Sequence, residues 1–221
     1  MNVWNFAVAF FGDATQWQGY DGIPHRLLEH ARYSLLALAL AALIGLPAGL
    51  LTGHTGRGGD ALAFVATAAR ALPSFGLLVL MAVLLGIGLL PAMIPLVVLA
   101  VPPILVTTYE AVRSVDPAAV DAARGSGMTE SGVLFHVELP VALPLVLSGL
   151  RSAAVQIVST ATIAAYVGLG GVGRYIVDGL YQRDYGKVVG GATLVAALAL
   201  VTLAIFWAAG RLLVSPGTRR G

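Results

Sequence analysis

Cysteine is absent from the 221 residues, which excludes a disulfide framework, a thiol nucleophile and a cysteine-ligated metal site. Charge is scarce too. Charged residues make up 11% of the sequence, where a soluble domain carries about 25%. Lysine occurs once, at Lys187, and follows no glycine-rich loop. That removes P-loop binding of ATP by this chain. The net charge of +2, with no basic run, gives no footprint for nucleic acid. The histidines, His25, His30, His54 and His136, pair with no other ligand type at metal spacing, so they read as interfacial or loop residues and no metal is expected. No serine, histidine and carboxylate set suggests hydrolysis, so the chain reads as a non-enzyme. The start, MNVWNFAVAFFGDATQWQ, lacks a basic region before its short apolar run. It reads as an interfacial segment with Trp4 and Trp17 at the membrane surface, and not as a secretory signal.

What is there is mostly apolar. Hydrophobic residues form 58% of the chain and the mean hydropathy is +0.87. Runs of about 20 apolar residues suffice to cross a bilayer, and five such runs are expected. The first has its apolar part from Tyr33 to Leu51. The second runs from about Ala61 to Leu89, holds Arg70, and is kinked at Pro73 in the ALPSFG segment. The third runs from about Ala92 to Val112, with Pro95, Pro102 and Pro103 inside it. The fourth runs from about Val141 to Leu169, interrupted by Arg151. The fifth, Val188 to Gly210, has no charge at all. Cutting residues 61–112 into three shorter pieces would give six spans instead. Arg57, Arg113, Arg124, Arg211, Arg219 and Arg220 then fall on one side, and Arg26, Arg32, Arg174, Arg183 and Lys187 on the other. The narrow excess makes the first side cytoplasmic.

One segment on that side is polar, VDAARGSGMTESGVLFHVELP, from Val120 to Pro140. Asp116 is placed to cap a helix that begins at Pro117. Gly125 and Gly127 break it. Thr129 is placed to cap a second short helix beginning at Glu130, which Leu139-Pro140 ends as the fourth span opens. The result is a helix–glycine–helix elbow at residues 117–138. Its small residues Ala122, Ala123 and Gly127 permit close approach by a partner, and Asp121 and Arg124 can set the register. An amphipathic loop lying on the membrane fits the same composition.

The elbow resembles the cytoplasmic signature loop in membrane subunits of binding-protein-dependent ABC importers. That pattern reads Glu-Ala-Ala, three residues, Gly, nine residues, then Ile-x-Leu-Pro. Here Asp121, Ala122, Ala123, Gly127, Val137, Leu139 and Pro140 stand at those positions, with Asp for Glu and Val for Ile. DGIPHRLLEHARYSL, RALPSFGLLVL and ELPVALPLVLSGLRSAAVQIVSTATIAAYVGLGGVG look like the branch of permeases for glycine betaine, choline, carnitine and proline betaine. The resemblance implies an all-α membrane protein with the type I ABC importer permease fold, in the bacterial inner membrane. It divides the chain into an N-terminal segment (1–26), a permease domain (27–212) and a tail (213–221). It implies an ATPase subunit that holds ATP and Mg and docks on Asp121, Ala122, Ala123, Arg124, Gly127, Leu139 and Pro140. A second copy or similar permease and an extracytoplasmic substrate-binding protein complete the set of partners, with the bilayer around them. A methionine or other amino-acid importer is the alternative within the superfamily. A secondary transporter would want inverted repeats and ionisable relays, which are not visible.

Candidate pathway or gating residues are Arg70, Ser74, Glu110, Arg151, Gln156 and Thr160, with Ser159 and Thr162 alongside. A charge at mid-bilayer costs about 2.5–3.5 kcal/mol, so Arg70 and Arg151 should face protein or water. Glu110 fits a helix-end group that snorkels. The polar residues of the fourth span fit helix packing equally well. Gly168-x-Gly170-x-x-Gly173 matches a dinucleotide fingerprint but closes a membrane helix instead of following a strand. Close packing or a flexible turn is the expectation there.

Overall fold

The computed structural model describes residues 2–214, with Arg70 described in its backbone alone. Among the described residues the regular elements are all helical. Four helices are long and apolar enough to cross a membrane: α2 (Ile23–Thr55), α5 (Leu89–Arg113), the run Glu130–Ala161 and α10 (Tyr185–Leu213). A fifth crossing is broken. α3 (Gly59–Ala71) and α4 (Ser74–Leu85) meet at Leu72-Pro73 with a bend of 84°. Proline lacks the N–H that would continue the ladder and pushes its predecessor out of the helical region, so the kink expected at Pro73 is a full break. The other helices are the short α1 (Val3–Gly12), α6 (Pro117–Gly125), α7 (Glu130–Val133) and α9 (Gly173–Gln182), and α8 (Leu139–Ala161), which makes up most of the run Glu130–Ala161.

α2, α5 and α8 form the centre. The reason is a stripe of small residues on α2: Ala37, Ala41, Gly45, Gly49 and Gly53, all buried at every fourth position. Residues four apart share a helix face. In lipid, where apolar surface alone gives no drive to associate, small residues let backbones approach and gain dispersion contacts. A Cβ on Gly49 would lie 2.7 Å from the Leu105 carbonyl oxygen and 2.7 Å from Thr108 Cβ. Gly45 meets Ile104 and Gly53 meets Val112 in the same way. α8 joins from the other side: a Cβ on Gly149 would be 2.8 Å from Thr107 Cβ. Ala153, Ile157 and Ala161 continue that face into the core.

α2 has 33 residues, about 50 Å at 1.5 Å each. A hydrocarbon core is about 30 Å thick. α2 therefore projects well beyond the apolar layer, and its last turn brings His54 to the elbow. At the far end α1 docks on α10, where the Phe10 ring fills the space a side chain at Gly190 would take. Trp17 Nε1 donates to the Phe11 carbonyl at 2.9 Å and folds the segment back on itself.

Candidate functional site

The elbow builds from its caps. The Asp116 carboxylate accepts from the Ala118 N–H at 2.9 Å, and Pro117 occupies the first turn. α6 ends in a Schellman arrangement. The Met128 N–H donates to the Ala123 carbonyl at 3.2 Å, the Gly127 N–H donates to the Arg124 carbonyl at 3.0 Å, and Gly127 takes φ +86°. Only glycine adopts that φ without strain. Among the described residues nothing beyond its chain neighbours lies within 4 Å of a Cβ built on Gly127, so its outward side is open. Thr129 Oγ1 accepts from the Gly132 N–H at 3.2 Å and starts α7.

Beyond α7 the structure departs from the sequence expectation. Leu139-Pro140 does not end the second helix. Glu130–Ala161 is one continuous run, carried through a π-helical turn at Leu134–Glu138. In that turn the Leu139 N–H donates to the Leu134 carbonyl, five residues back. The wide turn takes up the register that Pro140, lacking a donor, cannot continue. The second arm of the elbow is thus the root of the fourth span.

The elbow is held together by an ion pair and held to α2 through His54. Arg124 reaches across the break to Glu130, with Nε 3.1 Å from Oε1 and Nη2 3.0 Å from Oε2. Donating hydrogen bonds to the Glu130 carboxylate raises the Arg124 pKa above its ordinary value. Asp121 lies 3.8 Å from Arg124. His54 sits between two elbow carboxylates: Nδ1 is 2.6 Å from Glu138 and Nε2 is 3.0 Å from Glu130. The Glu138 and His54 side chains are 6% and 11% exposed. Val120 packs α6 onto the cluster of Val112, Val115, Ala142 and Val146. Asp121, Ala122, Arg124 and Gly127 are exposed while Ala123 is half-buried. Leu139 and Pro140 stand in the first turn of α8.

The histidine expectation needs correction. His30 is neither a loop nor an interfacial residue: it is 1% exposed inside α2, with Nε2 2.9 Å from the Val158 carbonyl. His54 belongs to the ion cluster. Sequence spacing missed it because its partners lie 76 and 84 residues away. Glu29 was missed as well. It is 9% exposed and accepts from the Gly171 N–H at 2.9 Å and from Arg26 Nη1 at 2.7 Å. The i+4 alternation of small residues on α2 was the one signal available for the packing face that positions both.

The pathway candidates lie on separate elements. Ser148, Ser152, Gln156 and Ser159 recur at helical spacing, and the last three are exposed on one face of α8. Arg151 borders that face and turns back toward the elbow end, with Nη2 3.3 Å from Ser148 Oγ. It lines a crevice of ≈690 Å³ with Pro144, Phe206, Trp207 and Arg211. Thr160 and Thr162 are half-buried, and the Thr162 hydroxyl is buried with no hydrogen-bond partner among the described residues. Ser74 opens α4, and Glu110 is exposed in the last turns of α5. The Arg70 side chain lies outside the described residues.

At the far end, Arg26, Arg174 and Lys187 line a second crevice of ≈380 Å³ with Asp21 and Asp178. Tyr175 donates to the Asp21 carbonyl at 2.6 Å, and burial pushes its phenol up to about 12. The glycine-rich loop closes over α2 there. A Cβ on Gly170 would strike the Glu29 carboxylate, and one on Gly173 would strike the Thr162 carbonyl. Close packing explains this motif, as expected.

Fold and site together define an all-α, multi-pass membrane protein. Three of the long helices, α2, α5 and α8, share a small-residue core, and an ion-paired elbow roots one of them. The chain belongs to the family described as binding-protein-dependent transport system inner membrane component, whose model matches residues 41–220. It is a transport subunit of the inner membrane. It is 34% identical over 198 residues to the choline transport system permease protein OpuBB of Bacillus subtilis, covering 89% of this chain and 90% of that protein. It is 35% identical over 181 residues to the carnitine transport permease protein OpuCB of Listeria monocytogenes, covering 80% and 83%. Among solved structures, an inward-facing form of the MetNI methionine ABC transporter matches with TM-score 0.70 and 25% identity, over 87% of this chain and 94% of that one. An amino acid ABC transporter matches with TM-score 0.71 and 17% identity, over 94% and 98%. The fold is that of type I ABC importer permeases.

Proposed function

We propose that the chain is the membrane subunit of an ATP-driven importer for quaternary-ammonium osmoprotectants such as choline, carnitine or glycine betaine. The observation that carries the reading is its 34% identity, over nearly its whole length, to a choline permease. The methionine transporter shares the fold at a lower identity of 25%, so a methionine or other amino-acid substrate is the weaker reading.

In this reading the elbow lies in the cytoplasm and docks on a separate ATPase subunit that binds ATP and Mg. Asp121, Ala122, Arg124 and Gly127 offer the exposed contact surface. ATP draws two ATPase subunits together, and the elbow passes that movement into α8, because its second arm and the span are one helix. Nucleotide thus stabilises one of two conformations, as any ligand with differential affinity does. A second copy, or a similar permease, faces the polar side of α8 and encloses the pathway. A substrate-binding protein delivers its cargo at the far end. Aromatic residues form 8% of the chain, sparse for cages that hold quaternary ammonium groups. That suits a conduit whose selectivity resides in the binding protein.

The test is uptake of labelled betaine, choline, carnitine and methionine in cells lacking the chain, complemented with wild type or Gly127→Trp. One quaternary amine should enter with wild type and fail with the variant, while the variant remains in the membrane. Uptake of methionine alone would overturn the substrate class. Normal uptake by Gly127→Trp would remove the docking role of the elbow.

A further inference from the structure

The crevice between α8 and α10, at the elbow end, holds charge of one sign. Arg151 lines it from α8 and Arg211 from the last turn of α10, and no acid stands among the described residues around it. Apolar walls flank the two guanidinium groups, Val141 and Leu145 on α8, Phe206 and Trp207 on α10. Its volume of ≈690 Å³ falls in the range of ligand sites, about 300–1,000 Å³.

Both arginines are held by neighbours. The Arg211 guanidinium carbon sits 4.1 Å from the Trp207 ring centroid, a cation–π contact. Arg151 Nη2 donates to Ser148 Oγ at 3.3 Å, the one side-chain bond of Arg151 among the described residues. A guanidinium has five N–H donors, so most of those on Arg151 await an acceptor. Ser148 accepts there and keeps its own O–H to donate, whereas the Ser114 hydroxyl is taken by the Ala111 carbonyl. Arg151 also stands 12 residues into α8, about 18 Å along the helix. A charge that far along an apolar span is costly without an anion or water against it.

α10 supplies the rest of the argument. Leu200, Ile205, Leu212 and Leu213 are exposed along it, and in a bilayer such surface meets acyl chains. Whatever fills the crevice must be anionic at the guanidinium groups and apolar beside Phe206 and α10.

We propose that the α8–α10 crevice binds one anionic phospholipid, with its phosphate between Arg151 and Arg211 and its acyl chains along α10. Guanidinium takes phosphate oxygens two at a time, and the Ser148 hydroxyl adds another donor. A zwitterionic lipid brings a cationic group beside its phosphate, which two arginines repel, so anionic headgroups are preferred. The lipid ties α10 to the root of α8, next to the elbow, and gives Arg151 a partner from the bilayer. None of this depends on the importer reading or on the substrate carried.

The experiment uses the full chain in phosphatidylcholine vesicles. Trp4 and Trp17 belong to the far end, so Trp4→Phe and Trp17→Phe leave Trp207, in the crevice, as the one tryptophan. Its fluorescence is read as brominated phosphatidylglycerol, or brominated phosphatidylcholine, replaces the host lipid. Bromine quenches the indole it touches, so the ratio of the two titrations gives the preference for the anionic head. Phosphatidylglycerol should quench at a lower mole fraction, and Arg151→Gln should cut that preference about fivefold, the weight of one arginine near an anionic headgroup. Arg57→Gln, exposed on the same side but outside the crevice, should leave it unchanged. Equal quenching by the two lipids in the Arg151 protein overturns the proposal without recourse to any charge variant. An equal fall in Arg57→Gln overturns it too, since attraction to the surface would then be general. Quenching by neither lipid would show the crevice covered by protein, such as a second copy. Relief of quenching by inorganic phosphate would make it a small-anion site, and relief by glycine betaine a part of the transport pathway; each of these three results refutes the lipid site.

Discussion

Gly49→Ala adds a single methyl group at the centre of the α2–α5 seam. The new Cβ would stand 2.7 Å from the Leu105 carbonyl oxygen and 2.7 Å from Thr108 Cβ. Carbon contacts are best at about 3.5–4.0 Å, so the shortfall is about 1 Å. Neither obstacle rotates away: one is backbone, and the other is the branch point of a side chain stiff at χ1. The helices must part. A radial gap of about 0.5–1 Å forfeits a quarter to a half of each dispersion well it opens, and overpacking of this kind costs about 1–3 kcal/mol. For a chain of this size each kcal/mol lowers Tm by about 2–4 °C, so a drop of about 2–12 °C is expected. Thermal unfolding of the purified chain in detergent, followed by tryptophan fluorescence, measures it. Leu51→Ala is the control, since Leu51 is on α2 but 59% exposed. A Gly49→Ala midpoint no lower than that of Leu51→Ala would refute the packing argument. The substitution should also reduce uptake, because α2 carries His54 to the elbow.

Three further outcomes are expected. Asp121→Lys should weaken capture of the partner ATPase in a pull-down, and unchanged capture would count against a docking role for that carboxylate. Arg151→Leu should lower transport without lowering Tm, because Arg151 is exposed and its hydrogen bond to Ser148 is long at 3.3 Å; full uptake would mark the charge as merely tolerated. Glu29→Ala should leave the buried Gly171 N–H without its acceptor, at about 1–3 kcal/mol, and speed amide exchange across residues 168–173. Unchanged protection there would show that the loop is held by packing alone.

Much of the site was legible because its signals are local. Asp116, Pro117, Gly127 and Thr129 act on backbone groups within a few residues, so caps and breaks follow from residue type and order. Membrane spans are equally local: about 20 apolar residues in a row have few other places to go. Local reading failed at Pro140. Proline ends most helices, and whether a π turn absorbs it instead depends on what the next helix packs against.

Composition and residue order by themselves determined an all-α membrane protein, its apolar spans, a kink at Pro73 and the two arms of the elbow. These are consequences of hydrophobicity, missing N–H groups and short-range capping. Only the tertiary structure decided that α2, α5 and α8 share a core, that Glu29 holds the glycine loop, and that His54 is enclosed by Glu130 and Glu138. The polar contacts among them join residues 76 to 142 positions apart, and nothing in the order of a chain states which distant groups will meet. Close packing of small residues decided it, by bringing the backbones near enough for side chains at their ends to touch.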